Sequence, residues 1–206
     1  MNNKPIKISV LGASCGVGTT NIVNILGGGT FNENSPSSLN SSFLIKEVII
    51  GEKKYELNIW DCGGGQEKYR SLRKFFIKDS DILILIHDIT YQYSLDGIYY
   101  WYDIIKETLS NDALICIFAN KIDLIEDIIY KEELCNYAES KRIKLKYVSA
   151  KENSKLIPYY VKELILDYLK NSLSQKIYDN ELTKLKQSIK KLLPNYIALL
   201  NKYYNY

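Results

Sequence analysis

The chain has 206 residues, of which 46% are hydrophobic and 25% charged, as is typical of a globular protein. Its formal net charge of +3 gives no reason to expect a polyanionic ligand, so we predict no nucleic-acid partner. No stretch approaches the roughly 18 apolar residues of a membrane-spanning helix. The four cysteines lack the spacing of a disulfide framework or a zinc site, and the N-terminus shows no signal peptide. We therefore expect reduced thiols in a cytoplasmic protein.

Apolar runs alternate with amphipathic segments along most of the chain. In chain order, the predicted strands are Ile6–Leu11, Phe43–Ile50, Tyr55–Trp60, Ile82–Ile86, Leu114–Ala119 and Leu145–Ser149. The predicted helices are Asn21–Leu26, Tyr69–Lys78, Ser94–Leu109, Tyr130–Ser140 and Leu156–Lys170. Residues 30–42, between the first helix and the second strand, are polar and predict a long exposed loop.

The order of these elements predicts a three-layer α/β fold. Apolar strands that alternate with helices form a mostly parallel sheet with helices on both faces. The second and third strands flank Gly51-Glu52, which predicts a hairpin and hence one antiparallel edge strand in a six-stranded sheet. We expect residues 1–170 to form this domain and residues 171–206 a helical, lysine-rich extension. Ligands of such sheets bind at the carboxyl ends of the strands.

A glycine-rich stretch separates the first strand from the first helix. Glycines let the backbone approach an anion, and free N–H groups at a helix start point towards it, so Gly12–Thr20 is similar to a phosphate-binding loop. The usual pattern is G-x-x-x-x-G-K-[ST]. Here the spacing from Gly12 to Gly18 is one residue longer, with Cys15 as the extra residue, and Thr19 stands where the lysine belongs. An ordinary glycine-rich turn is the alternative for this stretch alone.

Two short polar motifs follow the last two predicted strands. In Asn120-Lys121-Ile122-Asp123, the aspartate can accept hydrogen bonds from the N1 and N2 hydrogens of guanine, which adenine does not offer. Such a charge-assisted pair is worth about 1–3 kcal/mol of discrimination. Ser149-Ala150-Lys151 can complete a base pocket through its backbone amides. A polar turn and a helix-capping serine are the alternatives, and the position of both motifs at strand ends favours the pocket.

Further segments carry a family resemblance. Residues 60–67, W-D-C-G-G-G-Q-E, resemble the W-D-T-A-G-Q-E segment of Ras-like GTPases with one residue added. Asp88-Ile89-Thr90 resembles the D-I-T of Rab proteins, and residues 37–43 resemble the first switch of that family. With the motifs above, residues 5–170 resemble a small GTPase of the Ras superfamily, closest to its Rab branch.

The resemblance implies GTP or GDP and Mg²⁺ as ligands, and protein effectors or regulators that bind switch regions 31–43 and 61–78. The implied nucleotide-binding residues are Cys15, Gly16, Val17, Gly18, Thr19, Thr20, Asn21, Phe31, Gly65, Asn120, Lys121, Asp123, Ser149, Ala150 and Lys151. The implied magnesium-binding residues are Thr20, Ser38 and Asp61. Gln66 would be the catalytic residue that orients the attacking water.

Departures from the family pattern determine the expected mechanism. The lysine that reaches the β- and γ-phosphates in the family is Thr19 here, and such a contact is worth about 1.5–3 kcal/mol. The switch threonine and glycine are Ser38 and Asn40, and the extra residue after Asp61 displaces Gln66 along the chain. We therefore predict a guanine-nucleotide-binding, Rab-like switch in vesicle traffic or signalling, with weakened or absent hydrolysis.

Two alternatives stay open for this function. A pseudo-GTPase would be an interaction scaffold whose pocket is empty or permanently occupied. An active GTPase would need a substitute cation, for which Lys68 and Arg70 are candidates. His87, the only histidine, is expected to be a packed core residue rather than a catalytic one.

The C-terminal extension carries six lysines and two acidic residues in positions 171–206. Leu182, Leu185 and Ile189 share one helical face, and most lysines lie elsewhere. Such a helix either packs back onto its own domain or meets a membrane surface, and we favour the first. The sequence ends without a C-terminal cysteine, so we expect at most peripheral association with endomembranes, without a prenyl anchor.

Overall fold

The computed structural model describes residues 4–35, 42–62, 70–91, 93–110, 112–124 and 131–192. Within the helices, the side chains of residues 70–73, 131 and 192 are not described. The strands are β1 (Ile6–Gly12), β2 (Ser42–Ile50), β3 (Lys53–Asp61), β4 (Ile82–Asp88), β5 (Leu114–Asn120) and β6 (Lys144–Tyr147). The helices are α1 (Thr19–Gly27), α2 (Arg70–Ile77), α3 (Tyr93–Thr108), α4 (Lys131–Lys141), α5 (Leu156–Tyr168) and α6 (Gln175–Leu192).

The six strands form one sheet in the order β2-β3-β1-β4-β5-β6. β2 and β3 pair antiparallel across the turn at Gly51, and the remaining neighbours pair parallel. The predicted mostly parallel sheet with an antiparallel edge strand is therefore confirmed. Its carboxyl ends bring together the segments that follow β1, β4, β5 and β6.

Helices cover both faces of the sheet. α1 contacts α5 on one side, and α3 contacts α2 and α4 on the other. The sheet between them forms the core, and all seven residues of β4 are buried. Such a strand is apolar throughout because helices exclude water from both of its faces. The largest side chains of the core, Trp101 and Tyr147, are at most 2% exposed.

Several predicted boundaries differ from the structure by one or two residues, and two of these differences have clear local causes. β6 ends at Tyr147 rather than Ser149, because the backbone N–H of Ser149 turns away to the side chain of Asn153 (2.6 Å). α5 ends at Tyr168 rather than Lys170, because Lys170 N–H donates to Asp167 in a tighter three-residue turn. Helix ends commonly tighten in this way, and periodicity alone does not show it.

The described part of the C-terminal extension is one long helix that packs on α5. Tyr178 donates a hydrogen bond to Asp167 on α5 (2.9 Å). Glu181 is 5% exposed and accepts from Lys162 on α5 (3.1 Å) and from Lys184 (3.0 Å). These hydrogen bonds hold the buried face of α6 against α5. None of the helices described is both long and apolar enough to span a membrane.

Candidate functional site

A pocket of about 390 Å³ opens at the carboxyl ends of the central strands. It lies between the loop after β1, the start of α1, and the segments that follow β5 and β6. Its lining residues are Cys15, Gly16, Val17, Gly18, Thr19, Thr20, Asn21, Phe31, Glu33, Ser35, Asn120, Lys121, Asp123, Leu124, Ala150 and Lys151. The phosphate-loop motif and the two polar motifs thus meet in one cavity, whose size suits a nucleotide-sized ligand.

The loop after β1 has the backbone conformation of an anion cradle. Gly16 (φ +73°) and Gly18 (φ +95°) adopt left-handed conformations, which glycine reaches without steric strain. Gly12 still belongs to β1, and the N–H of Ala13 continues the sheet by donating to Ile86 (2.9 Å). The loop therefore starts from the end of β1 at Gly12, and α1 begins directly after Gly18.

Asn120 connects two walls of the pocket. Its side-chain amide donates to the carbonyl of Val17 (2.9 Å), and its side-chain oxygen accepts from the N–H of Ala150 (3.1 Å). Asn120 is 2% exposed, so both bonds form away from water. A Cβ atom on Gly18 would lie 2.5 Å from the Asn120 amide nitrogen. The close packing of these residues fixes the phosphate loop relative to the segment that carries Asp123.

Lys121 points its charge at an acidic residue of the neighbouring strand. Its ammonium lies 2.6 Å from one carboxylate oxygen of Asp88, at the end of β4. The other oxygen accepts from the backbone and the hydroxyl of Thr90 (2.9 and 2.6 Å). Lys121 has a left-handed φ of +70°, which non-glycine residues adopt only when their surroundings hold them there. Asp88 therefore orients Lys121 at the pocket wall.

The aromatic wall is held by two asparagines of α1. The side chain of Asn21 accepts from the N–H of Asn32 (2.8 Å) and donates to its carbonyl (3.1 Å). Asn24 donates to the carbonyl of Thr30 (2.6 Å). These bonds secure the segment on both sides of Phe31, which is half-buried and lines the pocket.

The opposite rim carries a lysine and an aspartate. Lys151 follows β6 and forms an ion pair of 3.5 Å with Glu33, which lies two residues after Phe31. Asp123 lies in a 3-10 turn, Ile122–Leu124, directly after β5, and lines the pocket. The lining therefore has an aromatic ring, a carboxylate and a lysine stem around one compartment. The ring and the stem offer apolar surface to a flat base, and the carboxylate accepts its hydrogen bonds.

Ser149 takes a supporting place rather than lining the pocket. It is fully buried, and its hydroxyl accepts a hydrogen bond from the N–H of Glu152 (2.9 Å), as a capping serine does. Its own N–H is bound to Asn153. The next two residues, Ala150 and Lys151, do line the pocket.

The predicted magnesium and hydrolysis residues are described only in part. Thr20 lines the pocket, and Asp61 ends β3, fully buried and paired in register with Val10 of β1. Ser38, Gly65 and Gln66 lie outside the described residues, as do Lys68 and the side chain of Arg70. Among the residues that are described, no three His, Cys, Asp or Glu side chains group as metal ligands. A hydroxyl and a carboxylate are nevertheless oxygen donors of the type that Mg²⁺ prefers.

The residues present fit a guanine nucleotide better at the base than at the phosphates. The base compartment offers a carboxylate acceptor, a backbone amide region and an aromatic face. The phosphate compartment, residues 15–21, contains no charged side chain. The hydroxyl of Thr19, which is 4% exposed, is buried without a hydrogen-bond partner. An orphaned buried donor at a helix start suits a phosphate oxygen.

His87 is a core residue, as predicted. It is 1% exposed near the end of β4, and neither ring nitrogen makes a hydrogen bond. Burial lowers the pKa of His87 to about 4, against the opposing effects of the Ser94 backbone and the Asp88 carboxylate. The imidazole is therefore neutral near pH 7 and lies outside the pocket lining.

Sequence reasoning missed three residues that build the site: Asp88, Asn32 and Glu33. Asp88 had a usable signal, because an aspartate two residues before a threonine forms a local turn and presents its second oxygen. Asn32 and Glu33 lie in a polar loop without periodicity, so only the fold shows that they face Asn21 and Lys151.

Comparisons with known proteins agree with this architecture. Residues 7–170 match the Ras family. The Ras-related protein Rab-21 of Canis lupus familiaris is 36% identical over 165 residues, covering 80% of this chain and 71% of the relative. Rab-21 of Homo sapiens is also 36% identical, over 80% of this chain and 70% of its own. Rab-12 of Mus musculus is 30% identical over 181 residues, 84% of this chain and 74% of the relative. The chain therefore belongs to the Ras family, as a Rab-like small GTPase of the Ras superfamily.

Proposed function

We propose that this protein binds guanine nucleotides as a Rab-like switch and hydrolyses GTP slowly or not at all. The observation that carries the proposal is the shared pocket of Phe31, Asp123 and Lys151 beside a phosphate loop without a lysine. Asp123 supplies the acceptor pair that distinguishes guanine from adenine. Phe31 and the stem of Lys151 lie on the rims that would flank a flat ring.

The phosphate loop supports binding more than catalysis. The amides after Gly16 and Gly18 and the start of α1 attract an anion whether or not it reacts. A lysine at position 19 would in addition stabilise charge that develops during phosphoryl transfer. Thr19 is neutral, so we expect hydrolysis to lose more than nucleotide binding does.

A magnesium ion would neutralise phosphate charge at this site. Thr20, Asp61 and Ser38 are the proposed ligands, directly or through water. Gln66 is the proposed group that orients the attacking water, displaced by the extra residue in its loop. Effectors and regulators would bind through switch regions 31–43 and 61–78. The proposed role is that of a molecular switch in vesicle traffic or signalling, and the similarity to Ras-related proteins supports the switch.

Single-turnover phosphate release from GTP tests the hydrolysis half of this proposal. We expect slow release by the native protein and a rise of about tenfold to a hundredfold in Thr19→Lys, because the restored cation contributes about 1.5–3 kcal/mol. Gln66→Leu should remove the residual activity. Thr183→Lys, which adds a lysine on the exposed face of α6, is the matched control and should change nothing. Equal rates for the native protein and Thr19→Lys would contradict the proposed cause.

The second candidate is a pseudo-GTPase scaffold, and the uncharged phosphate compartment favours it. Acid extraction of the purified protein followed by chromatography separates the two. A switch exchanges bound GDP for GTP on incubation, whereas a scaffold retains its nucleotide or carries none.

The division into a domain of residues 1–170 and an extension of residues 171–206 is also a proposal. So are a cytoplasmic location and at most peripheral contact of the extension with endomembranes.

A further inference from the structure

The aspartate that ends β4 lies directly beside the pocket wall. We propose that Asp88, oriented by Thr90, is a positioning residue that holds Lys121 in place beside the bound guanosine and so slows release of the nucleotide. Asp88 lies outside the described lining of the pocket and acts through Lys121, which belongs to that lining. The inference rests on the proposed function and adds Asp88 and Thr90 to the residues that determine how long the ligand stays bound.

Asp88 is held in one orientation by hydrogen bonds from its backbone and its side chain. Its N–H donates to the hydroxyl of Ser94 (3.0 Å), which is fully buried at the start of α3. One carboxylate oxygen accepts from the N–H and the hydroxyl of Thr90 (2.9 and 2.6 Å). The other oxygen lies 2.6 Å from the ammonium of Lys121. The carboxylate therefore meets Lys121 with its direction already fixed.

Lys121 depends on this carboxylate for its own position. Its φ of +70° is a left-handed conformation that non-glycine residues adopt when their surroundings hold them there. Its side chain is 31% exposed, so water competes with Asp88 for the ammonium. A lysine stem is flexible and loses its fixed position when the ammonium is released. With the ammonium bound to Asp88, the stem stays at the pocket wall and offers apolar surface to a ligand.

The end of β4 is also bonded to the strand that carries the base-recognition motif. Asp88 lies opposite Asn120 in the register of β4 and β5. The N–H of Ile89 donates to the carbonyl of Asn120 (3.1 Å). Lys121 follows at once, and Asp123 lies two residues further along. Asp88 thus supports the wall at the base end of the pocket.

The pocket has a second ion pair, which is more open to solvent than that of Asp88. Lys151 and Glu33 lie 3.5 Å apart with side chains 48% and 77% exposed, so water and salt screen their attraction. The side chain of Asp88 is 9% exposed, so its attraction for Lys121 is screened less. Loss of the Asp88 charge should therefore alter the position of Lys121 at low and at high salt alike.

Release of a fluorescent GDP from the full chain, chased with excess unlabelled GDP in magnesium buffer, tests the proposal. Asp88→Asn keeps the shape of the side chain and removes its charge. We expect release to become about fivefold to thirtyfold faster, since a hydrogen bond between two charged groups is lost. Asp103→Asn makes the same change on the exposed side of α3 and should keep the native rate. Slower release from Asp88→Asn would mean that an unpaired Lys121 binds the nucleotide better, which overturns the proposal.

A double-mutant cycle with Lys121→Met tests whether Asp88 acts through Lys121. Methionine keeps an apolar stem and lacks the charge, so in that background Asp88→Asn should change the release rate by less than about twofold. The full acceleration in both backgrounds would assign Asp88 a merely structural role and would overturn the proposal.

Variants of Thr90 test the same device without removing a buried charge. Thr90 is exposed, so a substitution there leaves the core unchanged. Thr90→Val keeps the shape and removes the hydroxyl that orients Asp88, so GDP release should become about two- to fivefold faster. Thr90→Ser retains the hydroxyl and should keep the native rate. Equal rates for the native protein and Thr90→Val would overturn the role of Thr90.

The outcomes separate this inference from the function beneath it. Release at the native rate from Asp88→Asn, in a protein that binds GDP and rejects ADP, overturns this inference alone. A native protein that binds no GDP, or that binds ADP equally well, overturns the proposed function with it.

Discussion

Gly16 and Gly18 are two left-handed residues of the same loop that meet different surroundings. A Cβ at Gly16 would meet nothing within 4 Å, whereas one at Gly18 would lie 2.5 Å from the Asn120 amide nitrogen. That nitrogen donates to Val17, so it cannot move without breaking a buried hydrogen bond. At the scale of single residues, a side chain at position 18 would collide with Asn120, whereas at position 16 only the left-handed backbone conformation requires glycine.

Alanine at each position should show this difference. Gly16→Ala should lower the free energy of unfolding by about 1–2 kcal/mol, the price of a left-handed L-residue. Gly18→Ala should lower it by about 2–4 kcal/mol, because the lost Asn120 bond adds to that strain. Urea unfolding of the nucleotide-free proteins measures both values. Equal losses in the two variants would contradict the packing described for Asn120.

His87 makes stability depend on pH. Its pKa is about 4 in the folded protein and about 6.5 when unfolded, so between these values the unfolded chain binds more protons. The contribution of His87 to the free energy of unfolding is therefore complete above pH 6.5. It decreases as the pH drops towards 4, by at most about 3 kcal/mol. His87→Phe should remove this part of the pH dependence. Urea unfolding of both proteins at pH 7.5 and pH 4.5 measures it, and parallel losses would contradict the assignment.

The position of a motif residue could be predicted from the sequence where the end of a predicted strand determines it. Asp123 and Lys151 lie in the short segments that follow two neighbouring parallel strands, β5 and β6, so the sheet brings them to the same edge. Ser149 was harder, because its hydroxyl has a local backbone partner in Glu152, and local hydrogen bonds compete with ligand contacts. The ion pair of Lys121 with Asp88 depends on strand register, His87 opposite Ala119 and Asp88 opposite Asn120, which a single sequence does not specify.

At the scale of elements, α6 is the helix that the sequence predicts for the extension, and it packs on α5 as the favoured alternative expects. Burial opposes ionisation of Glu181, but hydrogen bonds from Lys184 and Lys162 lower its pKa below the usual range. Burial also raises the pKa of Tyr178 to about 12, so its hydroxyl remains a donor to Asp167 at physiological pH. These polar contacts fix the register of α6 on α5. Composition predicted an amphipathic helix but not which surface its apolar face would meet.

The apolar face of α6 should contribute to the stability of the whole domain. Leu185 is 4% exposed, and Leu185→Ala should lower the free energy of unfolding by about 2–4 kcal/mol. Gln187→Ala, on the exposed side of the same helix, is the matched control and should stay within about 0.5 kcal/mol of the native value. Urea unfolding followed by circular dichroism measures both. Equal stability of the two variants would mean that α6 does not support the domain.

At the scale of the whole molecule, topology assembles a site from segments more than a hundred residues apart. The sequence order of strands and helices predicted the sheet, since right-handed crossovers leave few alternatives. The placement of every motif loop at one edge followed from that sheet. The sequence did not predict which lysines of the pocket form ion pairs with acidic residues, because those pairs depend on the three-dimensional structure.

The account depends most on selective recognition of guanine by Asp123. Calorimetric titration of GDP and ADP into the native protein and Asp123→Ala measures it, with Asp103→Ala on the exposed side of α3 as the control. We expect the native protein and the control to bind GDP about tenfold to a hundredfold more tightly than ADP, since a charge-assisted pair contributes about 1.5–3 kcal/mol. Asp123→Ala should lose that preference. An unchanged preference for GDP in Asp123→Ala, or equal binding of ADP by the native protein, would contradict it.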